Sequence, residues 1–146
     1  MKRLALFLLV AGCDSPEPAE KAPAPAAPRP QGRLPTAAEA ADSEAAAAVL
    51  RLYYERIGRG DYRGAWTLRE RRPGLAFETF AESFADYEDY RATVALPTLP
   101  VEADGFVWLE IPVQLYGRRR DGSPIGSVGQ VTMRRPASGG DWRLAP

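Results

Sequence analysis

The chain contains no histidine and a single cysteine in 146 residues. Each absence removes a class of chemistry. Without histidine there is no imidazole to serve as a general base near neutral pH, so a Ser-His-Asp triad is excluded. A zinc site built from histidine and cysteine is excluded with it. One thiol cannot close an intramolecular disulfide, so cysteine pairing carries no information about the redox compartment. An excess of one charge sign is missing too. Lys+Arg and Asp+Glu both number 19, and so balanced a chain offers no electrostatic funnel to nucleic acid. The apolar run near the start, Leu4 to Val10, falls far short of the ~20 residues that a membrane-spanning helix needs.

That short run is informative in another way. Lys2-Arg3 precede it, and the small residues Ala11 and Gly12 follow it immediately before Cys13. A basic start, an apolar stretch of ~7–15 residues and a small-residue cut site together make a secretory signal. Val10-Ala11-Gly12-Cys13 resembles the lipobox of bacterial lipoproteins. The resemblance implies that Cys13 takes a diacylglyceryl thioether and becomes the new N-terminus, facing the periplasm from the cell envelope. Two or more acyl chains hold a protein stably on a bilayer where one does not. Asp14 resembles an inner-membrane retention signal and leans the location that way. Loss of Lys2 and Arg3 with the leader leaves 17 basic against 19 acidic residues.

Residues 14–36 carry Pro16, Pro18, Pro23, Pro25, Pro28, Pro30 and Pro35 among alanines. Such a stretch builds no hydrogen-bonded ladder and favours extended polyproline II. It is expected to act as a tether, reaching roughly 70 Å at full extension. The domain is expected over residues 37–146.

Thr36-Ala37-Ala38-Glu39 has the capping-box pattern of a helix start. Val49, Leu52, Tyr53 and Ile57 then share one helical face, and Gly58 and Gly60 stop the helix. Asp61 is placed to cap a second helix carrying Tyr62, Ala65, Trp66 and Leu68, which Pro73-Gly74 breaks. A third helix is expected from Leu75 to about Ala85. After Tyr87 the period falls from about 3.6 to 2. Tyr90, Ala92, Val94 and Leu96 read as one face of a strand. Val107, Leu109, Ile111, Val113 and Leu115 read as the core face of the next, with Phe106, Trp108, Glu110, Gln114 and Tyr116 opposite. Pro112 inside that run suggests an edge position or a kink. Arg120-Asp121-Gly122 signals a hairpin. Gly126 and Gly129 mark expected bulges or bends in the return strand, and Asp141 to Leu144 supply a last short one.

Three helices followed by about four antiparallel strands make an α+β layout. The order of elements, the helix ending Tyr53-Tyr54-Glu55-Arg56-Ile57, the junction Gly60-Asp61-Tyr62 and the pair Ala65-Trp66 resemble the NTF2-like (SnoaL-like) cone. The resemblance covers roughly Thr36 to Pro146. It implies a fold and leaves activity open, because that superfamily includes isomerases, dehydratases, ligand carriers and interaction domains. Read for packing alone, Asp61 caps a helix and Trp66 fills the core under the sheet.

Catalysts of this superfamily use a carboxylate or imidazole base inside the cone. The pair that this chain can assemble is Glu110 with Tyr53 or Tyr54, and strand parity sets Glu110 on the outer side. The same parity places Phe106, Trp108 and Tyr116 together on the outer face, as exposed aromatics that mark interfaces do. Tyr53 and Trp66 complete the candidate ligand or interface residues. Arg118-Arg119-Arg120, with Arg69, Arg71, Arg72, Arg134 and Arg135, reads as a solvated set, with anionic lipid headgroups as the alternative contact. The expectation is a non-catalytic domain that binds a protein partner, a second copy of itself or a small apolar ligand. It is expected to carry no cofactor and no metal. The alternative is an isomerase or hydro-lyase.

Overall fold

The computed structural model describes residues 33–146; Cys13, its leader and residues 14–32 of the spacer lie outside the described residues. Helix α1 runs Ala37–Gly58. Thr36 Oγ1 accepts from the Glu39 N–H at 3.2 Å, and the Glu39 carboxylate accepts from the Thr36 N–H at 2.9 Å. The expected capping box is therefore formed. The buried stripe is Ala46, Leu50, Tyr53 and Ile57, spaced four, three and four apart. Leu52, placed on that face from the sequence, stays outside the core at 37% exposure, and Leu50 takes its place there.

Helix α2 spans Tyr62–Thr67, and the Asp61 carboxylate accepts from the Gly64 N–H at 2.9 Å. It stops well before Pro73-Gly74. Residues 68–70 leave the helix to pair with the end of the chain. Leu144 N–H donates to Leu68 O, and Glu70 N–H donates to Leu144 O. Tertiary pairing thus overrides a helical pattern that the sequence allowed. Helix α3, Phe77–Glu82, is shorter than the expected span. A turn closed by Leu75 N–H to Arg72 O delays its start, and Ser83 ends it by donating its hydroxyl to Phe80 O.

The sheet is antiparallel and has five strands: β1 Tyr87–Val94, β2 Val101–Ala103, β3 Phe106–Arg119, β4 Pro124–Pro136 and β5 Arg143–Leu144. β3 is central. β4 and then β5 lie on one side, while β1 and β2 share the other, end to end. The strand missing from the expected four is β2. It joins β3 through Asp104-Gly105, both at positive φ (52° and 76°), the backbone of a two-residue hairpin turn. β1 ends at Val94, so Leu96 is 84% exposed and lies on no strand face.

Pro112 sits in the centre of the sheet, contrary to the edge position it suggested. Its carbonyl accepts from Ala95 N–H, on the side where β1 has ended and β2 has not begun. In an antiparallel strand the N of a residue points to the same neighbour as its C=O, so the missing N–H of Pro112 falls in that gap and no ladder bond is lost. Gly126 and Gly129 make no bulge either. The β3–β4 register runs without a break from Phe106↔Pro136 to Arg118↔Pro124. The irregularity lies in β1, between Tyr87 and Asp89, opposite Arg119 and Arg118 and next to Gly117. Gly117 has φ 153°, and a Cβ there would lie 2.1 Å from Asp89 O. Only glycine admits that approach.

The alternation of β3 divides the sheet as its sequence reads. Val107, Leu109, Ile111 and Val113 are buried, with Leu50 of α1, Phe80 of α3 and Met133 of β4 packed in the same core. Each contributes ~1.5–3 kcal/mol by leaving water. One polar group ties this core across the chain. Asp42 on α1 accepts from Arg135 Nε at 3.0 Å, Arg135 Nη2 at 2.8 Å and Trp142 Nε1 at 3.0 Å. The bonded guanidinium holds the Asp42 carboxyl below its ordinary range, outweighing burial, which acts the other way.

Candidate functional site

The sheet brings together part of the candidate set on its outer face. The Phe106 and Trp108 rings meet edge to face, 6.0 Å between centroids and 62° between planes. Trp108 Nε1 donates to Ala103 O at 3.1 Å, which ties the ring to the β2–β3 hairpin. Both rings are half-buried. What covers them is Arg134, whose guanidinium lies 4.4 Å from the Phe106 centroid and 4.9 Å from that of Trp108. Glu70 holds the guanidinium in place by a bidentate pair, Arg134 Nε to Glu70 Oε1 at 2.7 Å and Nη2 to Oε2. Beside this centre Val101 is open to solvent, while Glu110, Thr132 and Gln130 make the next stretch of the same face polar. Val101 is opposite Trp108 in register and 61% exposed, and Val128, opposite Gln114, is 82% exposed. Tyr116 has the same outward parity and is 41% exposed, but it lies further along the strand, opposite Arg91.

Tyr53 and Trp66 belong elsewhere. Trp66 is half-buried in α2, tilted against Phe80 at 5.0 Å and edge-on to Phe77 at 6.1 Å. It packs among the α3 rings. The tryptophan buried in the core is Trp142. Tyr53 is buried in α1, with Tyr54 edge-on to it at 5.1 Å. Burial pushes the Tyr53 hydroxyl up to about 12, partly offset by the neighbouring Arg69. Burial raises Tyr54 as well, and the nearby Tyr90 and Tyr53 add to it.

These two tyrosines and Arg69 line a cleft of about 310 Å³ between α1, the segment after α2 and β4, with Val131, Thr132 and Leu144 on the other wall. Arg69 pairs with Leu144 across a parallel bridge, so its side chain takes the core side of the sheet. Its guanidinium lies 5.1 Å from the Phe80 centroid and 5.8 Å from that of Trp66. The sequence pattern grouped Arg69 with surface arginines. The bridge that turns it inward is a long-range pairing with no local signal. Asp42, Arg135 and Trp142 were likewise not singled out as a cluster.

The carboxylate–tyrosine pair does not come together. Glu110 is exposed on the outer side of β3, where its N–H donates to Thr98 Oγ1 at 2.9 Å. The sheet separates it from Tyr53 and Tyr54. Among the described residues no polar or charged residue is fully buried, and no group of three His, Cys, Asp or Glu is placed to hold a metal. No helix among them is long and apolar enough to cross a membrane.

No family model matches the sequence, and no curated protein does. Solved structures do match in fold. An NTF2-like superfamily protein from Salmonella enterica is 18% identical, with a TM-score of 0.50 over 71% of this chain and 83% of its own. The association domain of C. elegans CaMKII is 14% identical, with a TM-score of 0.52 over 75% and 95%. Aln2 from a Streptomyces species is 15% identical, with a TM-score of 0.53 over 77% and 90%. The fold is the NTF2-like α+β cone: three helices on a curled antiparallel sheet.

Proposed function

We propose that the chain is a bacterial envelope lipoprotein, acylated at Cys13, whose NTF2-like domain is a non-catalytic module for self-association through the outer face of its sheet. The observation that carries this reading is the outer face itself. Phe106 and Trp108 form an aromatic centre, with Val101 in solvent beside it and Val128 exposed further along the same face. An amphipathic, aromatic-centred patch of this kind is the composition of interface cores. Arg134, the cation over these rings, is already neutralised by Glu70, so a second copy meets no uncompensated cation there. A structure of similar fold is named as an association domain, which is consistent with self-assembly. The leader, the lipobox and the proline-rich spacer supply the anchor and the reach, with the domain facing the periplasm.

The alternative, an isomerase or hydro-lyase using Glu110 with Tyr53 or Tyr54, has its two groups on opposite sides of the sheet. The test is native mass spectrometry of membrane-extracted protein. The expected species is a dimer whose subunits start at Cys13 and carry diacylglycerol. Trp108→Glu is expected to give monomers with an unchanged melting temperature. A monomeric wild type at ~100 µM, or a Trp108→Glu variant that unfolds, overturns the self-association reading. An unacylated Met1 start overturns the anchor.

A further inference from the structure

Four arginines are half-buried among the described residues: Arg56, Arg69, Arg134 and Arg135. Three of them face a carboxylate. Arg134 has Glu70, Arg135 has Asp42, and Arg56 lies 3.9 Å from Asp61 while donating to Gly64 O. Arg69 has no acidic partner within ion-pair distance among the described residues. Its guanidinium meets the Phe80 and Trp66 rings and the Tyr53 hydroxyl. Aromatic faces compensate a desolvated cation only in part, so this position is left with an unmatched positive charge in a chain that matches the others.

We propose that the cleft lined by Arg69, Tyr53 and Tyr54 binds the carboxylate of a small organic acid, with Arg69 supplying the counter-charge. The cleft also has the other parts of such a site. No Asp or Glu side chain lines it, although Pro146, the last residue of the chain, does. Val131 and Leu144 give an apolar wall for a hydrocarbon body, while Tyr53 and Tyr54 add hydroxyls beside the guanidinium. Both tyrosines remain protonated at neutral pH, since burial raises them, so their hydroxyls can donate to an anion. A volume of about 310 Å³ is at the small end of ligand sites and suits an acid with one ring. A single guanidinium with apolar walls fits a planar monoanion better than a phosphate, which gathers several cations or a backbone nest. The cleft lies on the helix side of the sheet, away from Phe106 and Trp108. Its occupancy and the self-association are therefore separate questions.

The test is calorimetric titration of the full chain with benzoate, with benzamide as its neutral twin and with inorganic phosphate. Benzoate is expected to bind in the millimolar range or tighter, and benzamide ~10-fold more weakly or not at all. Arg69→Met is expected to abolish benzoate binding and to melt at the same or a higher temperature, because an unmatched charge has gone. Arg69→Lys is expected to keep part of the affinity. If Arg69→Met fails to fold, Tyr54→Phe supplies the same test and is expected to weaken benzoate several-fold without changing benzamide. Equal binding of benzoate and benzamide, tighter binding of phosphate, full binding by Arg69→Met, or no benzoate binding at ~10 mM each overturns the proposal.

Discussion

Replacing Asp42 by Asn tests the tie between α1 and the end of the sheet. The carboxylate accepts three hydrogen bonds, two from Arg135 and one from Trp142. The side chains of Asp42 and Arg135 are only 24% and 21% exposed. Hydrogen bonds to a charged group contribute a net ~1.5–3 kcal/mol. Asn retains part of the geometry but leaves the guanidinium without its counter-charge in a poorly solvated place. A loss of about 2–3 kcal/mol at neutral pH follows, or roughly 10–15 °C in melting temperature for a domain of this size. The dependence on pH separates this cause from a packing defect. The carboxyl is held below its ordinary value of 3.8 in the folded state, so the folded chain takes up this proton less readily than the unfolded one. The stabilisation is full above that value and disappears as pH falls through the lower, folded one. Urea denaturation of wild type and Asp42→Asn from pH 7 downward is expected to show a gap that closes in acid. A gap under ~0.5 kcal/mol at pH 7, or one that persists unchanged in acid, refutes the reasoning.

Three further outcomes follow from the packing. Gly117→Ala forces a methyl onto the Asp89 carbonyl and is expected to cost at least ~2 kcal/mol, read from the urea midpoint; Gly126→Ala, with open space around it, is the control expected near zero. Ile111→Ala empties the centre of a fully enclosed position and is expected to lose ~2–5 kcal/mol, against under ~0.5 kcal/mol for Val128→Thr on the exposed face. Spectrophotometric titration is expected to show Tyr53 and Tyr54 ionising above the remaining tyrosines, with Tyr53 near 12. Because the folded hydroxyls are raised, the unfolded chain ionises first, and stability is expected to fall between pH ~10 and ~12.

What was legible from the sequence was local or periodic. The capping box at Thr36, the Asp61 cap and the two-faced alternation of β3 depend on neighbours within one element, and their side chains stand where the pattern puts them. The Asp104-Gly105 turn was equally local, and the short strand before it hides in a segment without alternation. The misplaced features depend on partners far away in the chain. Pro112 could be central only because β1 and β2 leave a gap beside it. Helix α2 stops early because residues 68–70 have a better partner in β5. The inward turn of Arg69 and the covering of Phe106 and Trp108 by Arg134 follow from that same pairing, so no window of sequence contains them.

The bond from Asp42 to Trp142 spans 100 residues, and this has a consequence for the order of folding. Closing a loop of that length costs about 4 kcal/mol of chain entropy before the contact returns anything. The first third of α1 also carries mostly alanine, which gives it helical propensity but little apolar area to bury. That part of the helix is therefore expected to dock late, after β3 and β4 have paired through their local hairpin at Asp121-Gly122. A chain still missing its last five residues lacks both Trp142 and the β5 strand that engages residues 68–70. Such a chain is expected to keep the β3–β4 pairing but to leave the start of α1 undocked, a difference that hydrogen exchange of α1 amides would read.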